Sequence, residues 1–391
     1  MRSIRSATAV IGFVLLALLA GIWLGGHPDS LPGPLRDALV EEDRAVRTEI
    51  IEAIQDNYYR RVPEQELDAA SLKGIVQALE DPFSHYLTPS EAEQFQESVE
   101  GEFDGVGMTV EEDRRGLRVL NVFDGSPARR AGIEAGDLVV SVNGRSIAGV
   151  TSEVATARIK GPPGTGVRLE VVTPSSGRRR ELRLTRKRIE VPVAEGRIVE
   201  RGGRRIAVIE LLSFSSGAHG LLRRELDRLL GRGAQGVVLD VRGNGGGLLT
   251  EAVLVASQFI EDGEIVSVRG RARAERSEDA QGDAIDEDIP VVVLVDQGSA
   301  SASEIVAGSL RDRRRARIVG TRTFGKGLVQ EVEPLSNGGV LDLTVANYYL
   351  PSGKTIGRRG LAPQVRARDD PDTSRDEALP KAIQALPAGG R

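Results

Sequence analysis

Three polar side chains in the C-terminal half of the sequence could together perform nucleophilic catalysis. Ser301 offers a hydroxyl nucleophile, Lys326 an amine that could take its proton, and Gln330 an amide that could orient the amine. Histidine, the usual base for a serine nucleophile, occurs only 3 times in the chain. A Ser-His-Asp arrangement stays open, because its members meet in space rather than in sequence. The scarcity of histidine, together with Lys326, favours a serine hydrolase whose general base is lysine.

A lysine that acts as a base must lose its proton near pH 7. The ordinary lysine pKa of about 10.4 then has to fall by about three units, and removal of the amine from water is the usual cause. Gly325 and Gly327 flank Lys326 with minimal bulk. This neighbourhood suits a lysine that is threaded into a tight, dry site.

The residues around Ser301 predict the element that positions it. A strand-like apolar run, Val291 to Val295, is followed by small residues and then by Ser303 and Glu304. Ser301 is therefore predicted on a tight turn that opens a helix, although a simple helix cap would have a similar sequence. At such a turn the free backbone N–H groups and the helix dipole favour a developing oxyanion.

A glycine-rich segment supplies a second candidate for oxyanion binding. Three consecutive glycines, Gly245, Gly246 and Gly247, follow the apolar run 236–239 and the residues Asp240 to Asn244. Glycine lets backbone N–H groups approach a ligand closely, as an oxyanion hole requires. Phosphate binding is the competing use of such a segment.

With these motifs the sequence resembles the carboxyl-terminal processing proteases, also called tail-specific proteases, over nearly the whole chain after its N-terminal apolar segment. The matching motifs are S-A-S-A-S-E around Ser301, F-G-K-G around Lys326 and R-G-N-G-G-G over 242–247. The resemblance implies that Ser301 is the nucleophile, that Lys326 is the base and that Gln330 orients the lysine.

The resemblance also implies an oxyanion hole. The N–H of Ala302 would be one donor, and Gly247 would supply the other, with Gly246 as the alternative. Many relatives have proline where this chain has Gly245, which leaves the choice among the three glycines open. No metal or organic cofactor is implied.

A separate segment, 100–190, resembles a PDZ domain, with short alternating strands between glycine turns. Its physical use is the recognition of a peptide C-terminus by strand addition. The positions that match the carboxylate-binding loop are Phe103, Gly105, Val106 and Gly107, and Met108 would continue into the strand that pairs with the peptide. A purely structural PDZ domain is the alternative.

The N-terminus predicts a location. Arg2 and Arg5 precede an apolar run over 7–25, which has about the 20 residues that a membrane-spanning helix needs. Positive charge before the run favours a cytoplasmic N-terminus, with the body outside. No Ala-x-Ala site ends the run, so an anchor is favoured over a cleaved signal peptide. We expect residues 1–30 to attach the chain to a bacterial cell envelope.

Composition excludes some classes of protein. The formal net charge of −5 is too small to argue for nucleic acid as a partner. The chain has no cysteine, and therefore no disulfide or zinc-thiolate site. The arginine clusters 178–180 and 313–315 are interpreted as solvated faces.

The remaining pattern predicts the fold class. A helical region over 31–99 precedes the mostly β PDZ segment, and from Val191 onward strands alternate with helices, as in α/β domains. The resemblance implies a crotonase/ClpP-like protease core over 191–391, with a C-terminal helix and the PDZ domain inserted before it. The polar stretch 269–287 is predicted to be a loop.

These observations together predict a serine endopeptidase that cleaves protein substrates near their C-termini. Its expected partners are protein or peptide tails, the membrane through the N-terminal segment, and a second copy or an activating protein. A membrane-anchored PDZ adaptor with an inactive protease fold is the alternative. The presence of Ser301, Lys326 and Gln330 argues against it. Crotonase-like acyl transfer is less favoured, because no thioester-carrier site is evident.

Overall fold

The computed structural model describes residues 62–272, 274–370, 373 and 375–387, together with Ile50, Ile51 and Ile54. It divides into two units, Met1–Tyr86 and Leu87–Arg391. The predicted membrane segment 7–25 lies outside the described residues, as do residues 31–61 of the predicted helical region except Ile50, Ile51 and Ile54. Within the part that is described, no helix combines the length and the apolar character needed to cross a membrane. The first unit contains helix α1 (Glu64–Gln77) and the start of strand β1 (His85–Leu87).

The PDZ segment forms an antiparallel sheet with its own core. The strand order is β3-β4-β5-β7-β8, with β6 beside β5, and a separate ribbon joins β2 to β9. Along β7, Val167, Leu169 and Val171 are buried, because alternate side chains of a strand point to the same face of the sheet. The elements are α2 (Pro89–Glu100), β2 (Glu102–Gly105), β3 (Met108–Asp113), β4 (Gly116–Val122), α3 (Pro127–Arg130), β5 (Leu138–Val142), β6 (Arg145–Ser146), α4 (Ser152–Ile159), β7 (Gly166–Thr173), β8 (Arg178–Thr185) and β9 (Lys187–Glu190).

The C-terminal half is built on a second sheet, with the strand order β10-β11-β12-β15-β16-β19. Strand β10 is antiparallel to β11, and the other neighbours are parallel. The elements are β10 (Ala194–Arg201), β11 (Arg204–Leu211), α5 (Ala218–Gly231), β12 (Val237–Asp240), α6 (Leu249–Ser257), β15 (Val291–Val295), α7 (Ala302–Asp312), β16 (Ala316–Gly320), β19 (Val365–Arg366) and α8 (Ala378–Ala385).

Helices cover both faces of this sheet. Every residue of β12 and β15 is buried, which is typical of parallel strands that are packed on both sides. Leu222 of α5 and Ile305 of α7 belong to the core on one face. Leu379 of α8 belongs to the core on the other face. The order of elements therefore agrees with the predicted alternation of strands and helices.

A third sheet contains antiparallel pairs between β13 (Glu264–Gly270), β14 (Arg276–Asp279), β17 (Leu328–Pro334) and β18 (Val340–Tyr349). The prediction of a loop over 269–287 is wrong in part. Strand β13 extends to Gly270, and β14 pairs with it in antiparallel register. Strand β14 consists of polar residues and is mostly exposed. Its sequence therefore lacks the apolar alternation of a half-buried strand.

The two arginine clusters are only partly solvated. Arg180 forms a 2.6 Å ion pair with Asp137, and its guanidinium donates to the Gly132 carbonyl at 2.7 Å. Arg315 donates to the carbonyls of Phe259 and Ile289 at 2.9 and 3.0 Å. Arg313 also donates to the Asp262 carbonyl at 2.6 Å. One arginine of the first cluster and two of the second therefore join distant segments, which corrects the interpretation of both clusters as solvated faces.

Candidate active site

Two neighbouring strands bring the candidate loops together. Strands β12 and β15 are parallel neighbours, so the loops that follow them leave the same edge of the sheet, where α/β proteins bind ligands. The carboxylate of Asp296 accepts N–H groups from Gly243 at 2.8 Å and Gly298 at 2.9 Å. The Ser299 hydroxyl donates to the Val241 carbonyl at 2.7 Å. The glycine-rich loop and the serine turn are thereby fixed to each other.

Ser301 lies at the start of helix α7 in an unusual backbone conformation. Its φ is 53° and its ψ is −113°, a region that residues other than glycine rarely occupy. The residue is 7% exposed. Such strain costs about 1–3 kcal/mol and persists only where the surroundings enforce it. The turn is therefore held by its contacts rather than by local preference.

The principal contact is with Glu304, which is fully buried. Its Oε2 atom accepts the N–H of Ser301 at 3.0 Å and the N–H of Lys326 at 2.9 Å. Its Oε1 atom accepts the N–H of Gly325 at 2.9 Å and the hydroxyl of Thr323. One carboxylate thus joins the serine turn to the lysine loop.

Burial raises the pKa of Glu304, and these hydrogen bonds oppose that shift. Four donors around the two oxygens suit the ionised group, which only accepts hydrogen bonds. Glu304 is not among the residues predicted to perform catalysis. A glutamate three residues after a serine that opens a helix is the signature of a capping box, and this signal could have identified it.

The lysine loop packs closely against another backbone segment. A Cβ atom at Gly325 would lie 2.8 Å from the Gly357 carbonyl oxygen, and one at Gly327 would lie 2.5 Å from the Gly357 nitrogen. Larger residues would separate the segments. Lys326 itself is half-buried. The flanking glycines are therefore required by this close approach.

Gln330 lies on β17, opposite Thr344 of β18. Its side-chain nitrogen donates to the Thr344 hydroxyl at 3.2 Å. The structure thus gives the amide a second partner that the sequence analysis did not include. The orientation of Lys326 by Gln330 stays a prediction.

Asn244 organises the glycine-rich loop from a fully buried position. Its side-chain oxygen accepts the N–H of Gly246 at 2.9 Å, and its side-chain nitrogen donates to the Leu211 carbonyl at 2.7 Å. Its own carbonyl accepts the Ser303 hydroxyl at 2.8 Å. Asn244 belongs to the motif R-G-N-G-G-G, but the motif alone does not indicate this structural role.

The three glycines after Asn244 differ in their surroundings. A Cβ atom at Gly246 would lie 2.9 Å from the Ser301 Cβ, whereas at Gly245 it would meet nothing within 4 Å. The Gly246 N–H is already bound to Asn244. For the N–H groups of Gly245, Gly247 and Ala302, the described residues provide no hydrogen-bond acceptor. Gly247 and Ala302 therefore have donors available beside the serine turn.

The segment between β11 and α5 contacts this loop and helix α2. Phe214 donates its N–H to the Gly246 carbonyl at 3.1 Å, and Ser216 donates to the Val99 carbonyl at 2.8 Å. The Glu251 carboxylate accepts the N–H of Gly217 in this segment at 2.9 Å, and it also bonds to Nδ1 of His219 in α5 at 2.8 Å. In the described part of the chain, no hydrogen bond joins Ser301 to a histidine.

The predicted peptide-binding loop also has unoccupied donors. The carbonyls of Val106 and Gly107 accept the N–H groups of Ala128 and Phe123 at 2.8 and 3.1 Å. Within the described ranges, the N–H groups of Val106 and Gly107 have no acceptor. Phe103 is on β2, with its ring 5.8 Å from that of Phe123.

Met108 opens β3, which lies at the edge of the PDZ sheet. Since β3 pairs only with β4 in that sheet, its other side is available for an added strand. Among the described residues, no group of three or more His, Asp or Glu side chains is arranged to hold a metal ion.

Comparison with known proteins identifies two families whose models match parts of the chain. The family model for peptidase family S41 matches residues 205–367, and the PDZ domain model matches residues 94–172. The chain is 36% identical over 323 residues to the carboxy-terminal-processing protease of Bartonella bacilliformis, covering 81% of this chain and 73% of that protein. It is 35% identical over 317 residues to the carboxy-terminal processing protease CtpA of Bacillus subtilis, covering 81% and 67%.

Among solved structures, the photosystem II D1 C-terminal processing protease is similar, with 28% identity and a TM-score of 0.50. The match covers 89% of this chain and 98% of that one. Together with the fold and the geometry of the site, these similarities show that the chain belongs to the carboxy-terminal processing proteases of peptidase family S41. It is a serine-type peptidase that carries a PDZ domain.

Proposed function

We propose that this chain is an endopeptidase that cuts protein substrates near their C-termini, with Ser301 as nucleophile and Lys326 as general base. The observation that carries the proposal is the position of Glu304. A single oxygen of its carboxylate accepts the backbone N–H groups of both residues. This shared acceptor supports a nucleophile and a base that act together.

In this mechanism the Ser301 hydroxyl attacks the substrate carbonyl while the Lys326 amine takes the hydroxyl proton. The protonated amine then donates to the leaving nitrogen, and an acyl-enzyme remains. Water attacks the acyl-enzyme in a second step, with the same amine as base. The Gln330 amide nitrogen is bound to Thr344, so its carbonyl oxygen is available to accept from the lysine.

The proposed oxyanion donors are the N–H groups of Gly247 and Ala302. Both lack an acceptor among the described residues, and a developing oxyanion would supply one. Gly246 is the weaker candidate, because its N–H is bound to Asn244. Gly245 is excluded as a donor common to the family, since the proline of many relatives has no N–H.

The proposed role of the PDZ domain is to recognise the substrate tail. The unoccupied N–H groups of Val106 and Gly107 suit a terminal carboxylate. The peptide would add beside β3, which is an edge strand. Met108 at the start of β3 and Phe103 before the loop would contribute to the surrounding pocket. Strand addition with a captured C-terminus is a recurring mode of peptide recognition.

Three further proposals concern the whole chain. We propose that the parallel sheet and its helices form a crotonase/ClpP-like core, that residues 1–30 attach the chain to the cell envelope, and that a second copy or an activating protein controls its activity. The parallel strands covered on both faces support the first. The positively charged, apolar N-terminus supports the second. Fractionation of bacterial cells and light scattering of the purified chain test the last two.

The first experiment measures the cleavage of unfolded casein by the full-length chain in detergent. We expect Ser301→Ala and Lys326→Ala each to reduce turnover at least about a hundredfold, because each removes an essential group. Lys326→Arg serves as a matched control that retains the charge but does not release its proton at neutral pH. Full activity of Lys326→Ala would show that lysine is not the base.

The same assay distinguishes the adaptor alternative. Peptides with free apolar C-termini are added to the wild type and to Ser301→Ala. An adaptor would bind these peptides and leave casein intact in both proteins. A peptidase would cleave casein only in the wild type.

A further inference from the structure

A cationic groove lies beside the lysine loop. Its cavity has a volume of about 800 Å³ and is lined by Arg311, Arg322, Lys354, Arg358 and Arg359 together with Thr355 and with apolar and glycine residues. No acidic side chain lines it. The groove was not part of the sequence motifs, and the proposed mechanism does not use it.

The charges of this groove are mostly uncompensated. Arg311 pairs with Asp312 at 2.8 Å, and Arg322 donates only to the carbonyls of Arg359 and Gly360, at 3.0 and 3.3 Å. Within the described part of the chain, no carboxylate forms an ion pair with Arg322, Lys354, Arg358 or Arg359. Like charges at short range repel one another. An anion in the groove would relieve this repulsion.

The cationic surface continues beyond the first cavity. Arg322 and Ala362 also line an adjoining cavity of about 410 Å³, whose other cationic residues are Arg366, Arg368 and Lys381. This concentration contrasts with the whole chain, whose acidic residues outnumber its basic residues by 57 to 52. Two adjoining cavities with a shared wall suit an extended anionic chain better than a single small ion.

The position of the groove favours a polypeptide as that chain. The wall residues Gly357 and Gly360 contact the backbone of Gly325 in the lysine loop. Leu361 in the same wall donates its N–H to the Thr323 hydroxyl at 2.7 Å, and that hydroxyl in turn donates to Glu304. A ligand in the groove would therefore lie next to the residues that hold the loop of the proposed base, and the ligand that a peptidase brings close to its base is a polypeptide.

We propose that this groove binds acidic side chains of the substrate, and that Arg358 and Arg359 determine a preference for substrates with acidic segments near the cleaved bond. The inference rests on the proposed function. Both arginines are exposed, and a guanidinium can bind a carboxylate through two parallel hydrogen bonds. Specificity from such contacts is sensitive to salt, because exposed charges are screened.

The test compares two unfolded reporter polypeptides. They share one sequence except that Asp and Glu in the first are replaced by Asn and Gln in the second. Wild type and Arg358→Gln/Arg359→Gln are assayed at low and high salt. We expect the double variant to lower the ratio of kcat/KM for the acidic reporter to that for the neutral reporter about fivefold, mainly through KM. The wild-type preference should decline as salt rises.

Matched variants separate specificity from structure. Arg314→Gln/Arg317→Gln removes two exposed arginines outside both cavities and should leave the ratio unchanged. Arg358→Lys/Arg359→Lys keeps the charge and should retain most of the preference. An equal loss for both reporters in the Gln variant, or an unchanged ratio, would overturn the assignment.

A binding measurement keeps this inference distinct from the proposed function. A fluorescent polyglutamate peptide is titrated into the full-length Ser301→Ala protein, with and without the two arginines. Arginine-dependent binding supports the groove even if the wild type cleaves neither reporter, an outcome that would contradict only the peptidase proposal. Absence of binding, or arginine-dependent binding to phosphatidylglycerol vesicles alone, would contradict the assignment of an acidic peptide.

Discussion

Glu304 positions two other residues, Ser301 and Lys326, by accepting hydrogen bonds from their backbone N–H groups. The carboxylate accepts the N–H groups of Ser301, Gly325 and Lys326, and it is fully buried. A buried carboxylate is costly to leave unpaired, so its retention here depends on all of these donors. It touches no reacting atom in the proposed mechanism and acts as a positioning residue.

Replacing this residue tests the positioning role. Glu304→Gln is expected to lower kcat on casein by about tenfold to a hundredfold, with a smaller change in KM. The amide has only one acceptor oxygen, so it cannot serve all of the donors. The measurement pairs steady-state kinetics with circular dichroism, and Ser309→Ala, in the same buried helix, is the control. A fully active, folded Glu304→Gln protein would contradict this role.

The neighbouring glycines Gly245 and Gly246 provide a matched pair of variants. Gly246→Ala should greatly reduce activity, because its φ of 104° is unfavourable to alanine and its new Cβ would lie 2.9 Å from the Ser301 Cβ. Gly245→Ala should remain close to wild type, since a Cβ there meets nothing within 4 Å. Active-site labelling with a fluorophosphonate measures both. Equal labelling of the two variants would contradict the close approach.

At the scale of elements, strand β18 contains a buried tyrosine with a measurable consequence. Burial raises the pKa of Tyr348 to about 12, whereas a tyrosine in the unfolded chain has a pKa of about 10. Between these values the unfolded chain loses a proton that the folded chain retains. The free energy of unfolding therefore falls as pH rises, in total by about 2–3 kcal/mol for this group.

Urea unfolding from pH 9 to pH 12 measures this effect. Tyr348→Phe should show a shallower decline than wild type, and Tyr349→Phe, on the same strand, should decline like wild type. If Tyr348→Phe and wild type lost stability in parallel, the hydroxyl would not be the group responsible.

Much at this scale could be predicted from the sequence. The apolar run before Ser301 forms β15 and the helix after it is α7, because strand and helix periodicities are local properties. The polar strand β14 could not be predicted, since pairing with β13 rather than an apolar pattern holds it. Arg315 was misinterpreted for a related reason, because its acceptor at Phe259 is 56 residues away and no local pattern encodes such a contact.

The candidate site shows the same difference between local patterns, which can be predicted, and contacts between distant segments, which cannot. Ser301, Lys326 and the glycines were recognisable because their types and motifs suggest chemistry. Asn244 and Asp296 act through hydrogen bonds to backbone groups of distant segments, and such bonds leave little trace in the sequence. For Glu304, the capping-box spacing indicates the bond to Ser301, but nothing in the sequence indicates the bond to Lys326. For Gln330, the motif predicts Lys326 as its partner, whereas the hydrogen bond in the structure is to Thr344 on the neighbouring strand.

At the scale of the whole molecule, the PDZ domain should distinguish free from blocked peptide termini. We expect a peptide with a free apolar C-terminus to bind Ser301→Ala at least about tenfold more tightly than its amidated form, because hydrogen bonds to a charged group contribute about 1.5–3 kcal/mol. The Val106 and Gly107 N–H groups would supply these bonds. Calorimetry gives both affinities.

A substitution at Gly107 tests whether the 106–107 loop is responsible for the preference for a free C-terminus. Gly107→Ala places a Cβ 2.3 Å from that of Ser126 at a φ of 82° and should weaken binding of the free peptide. Gly149→Ala also replaces a glycine of positive φ but has open space around it, so it controls for backbone strain alone. Equal affinity for free and amidated peptides would contradict carboxylate recognition.

The contacts of Asp296 and Glu304 affect the time at which the protein acquires activity. The serine turn depends on Gly243, which precedes it, and on Gly325 and Lys326, which follow it. The lysine loop in turn packs on Gly357 and Gly360. A nascent chain that has left the ribosome only as far as Ser301 therefore lacks both the proposed base and the contacts that support the strained serine turn. The site can therefore form only after nearly all of the polypeptide has emerged and folded.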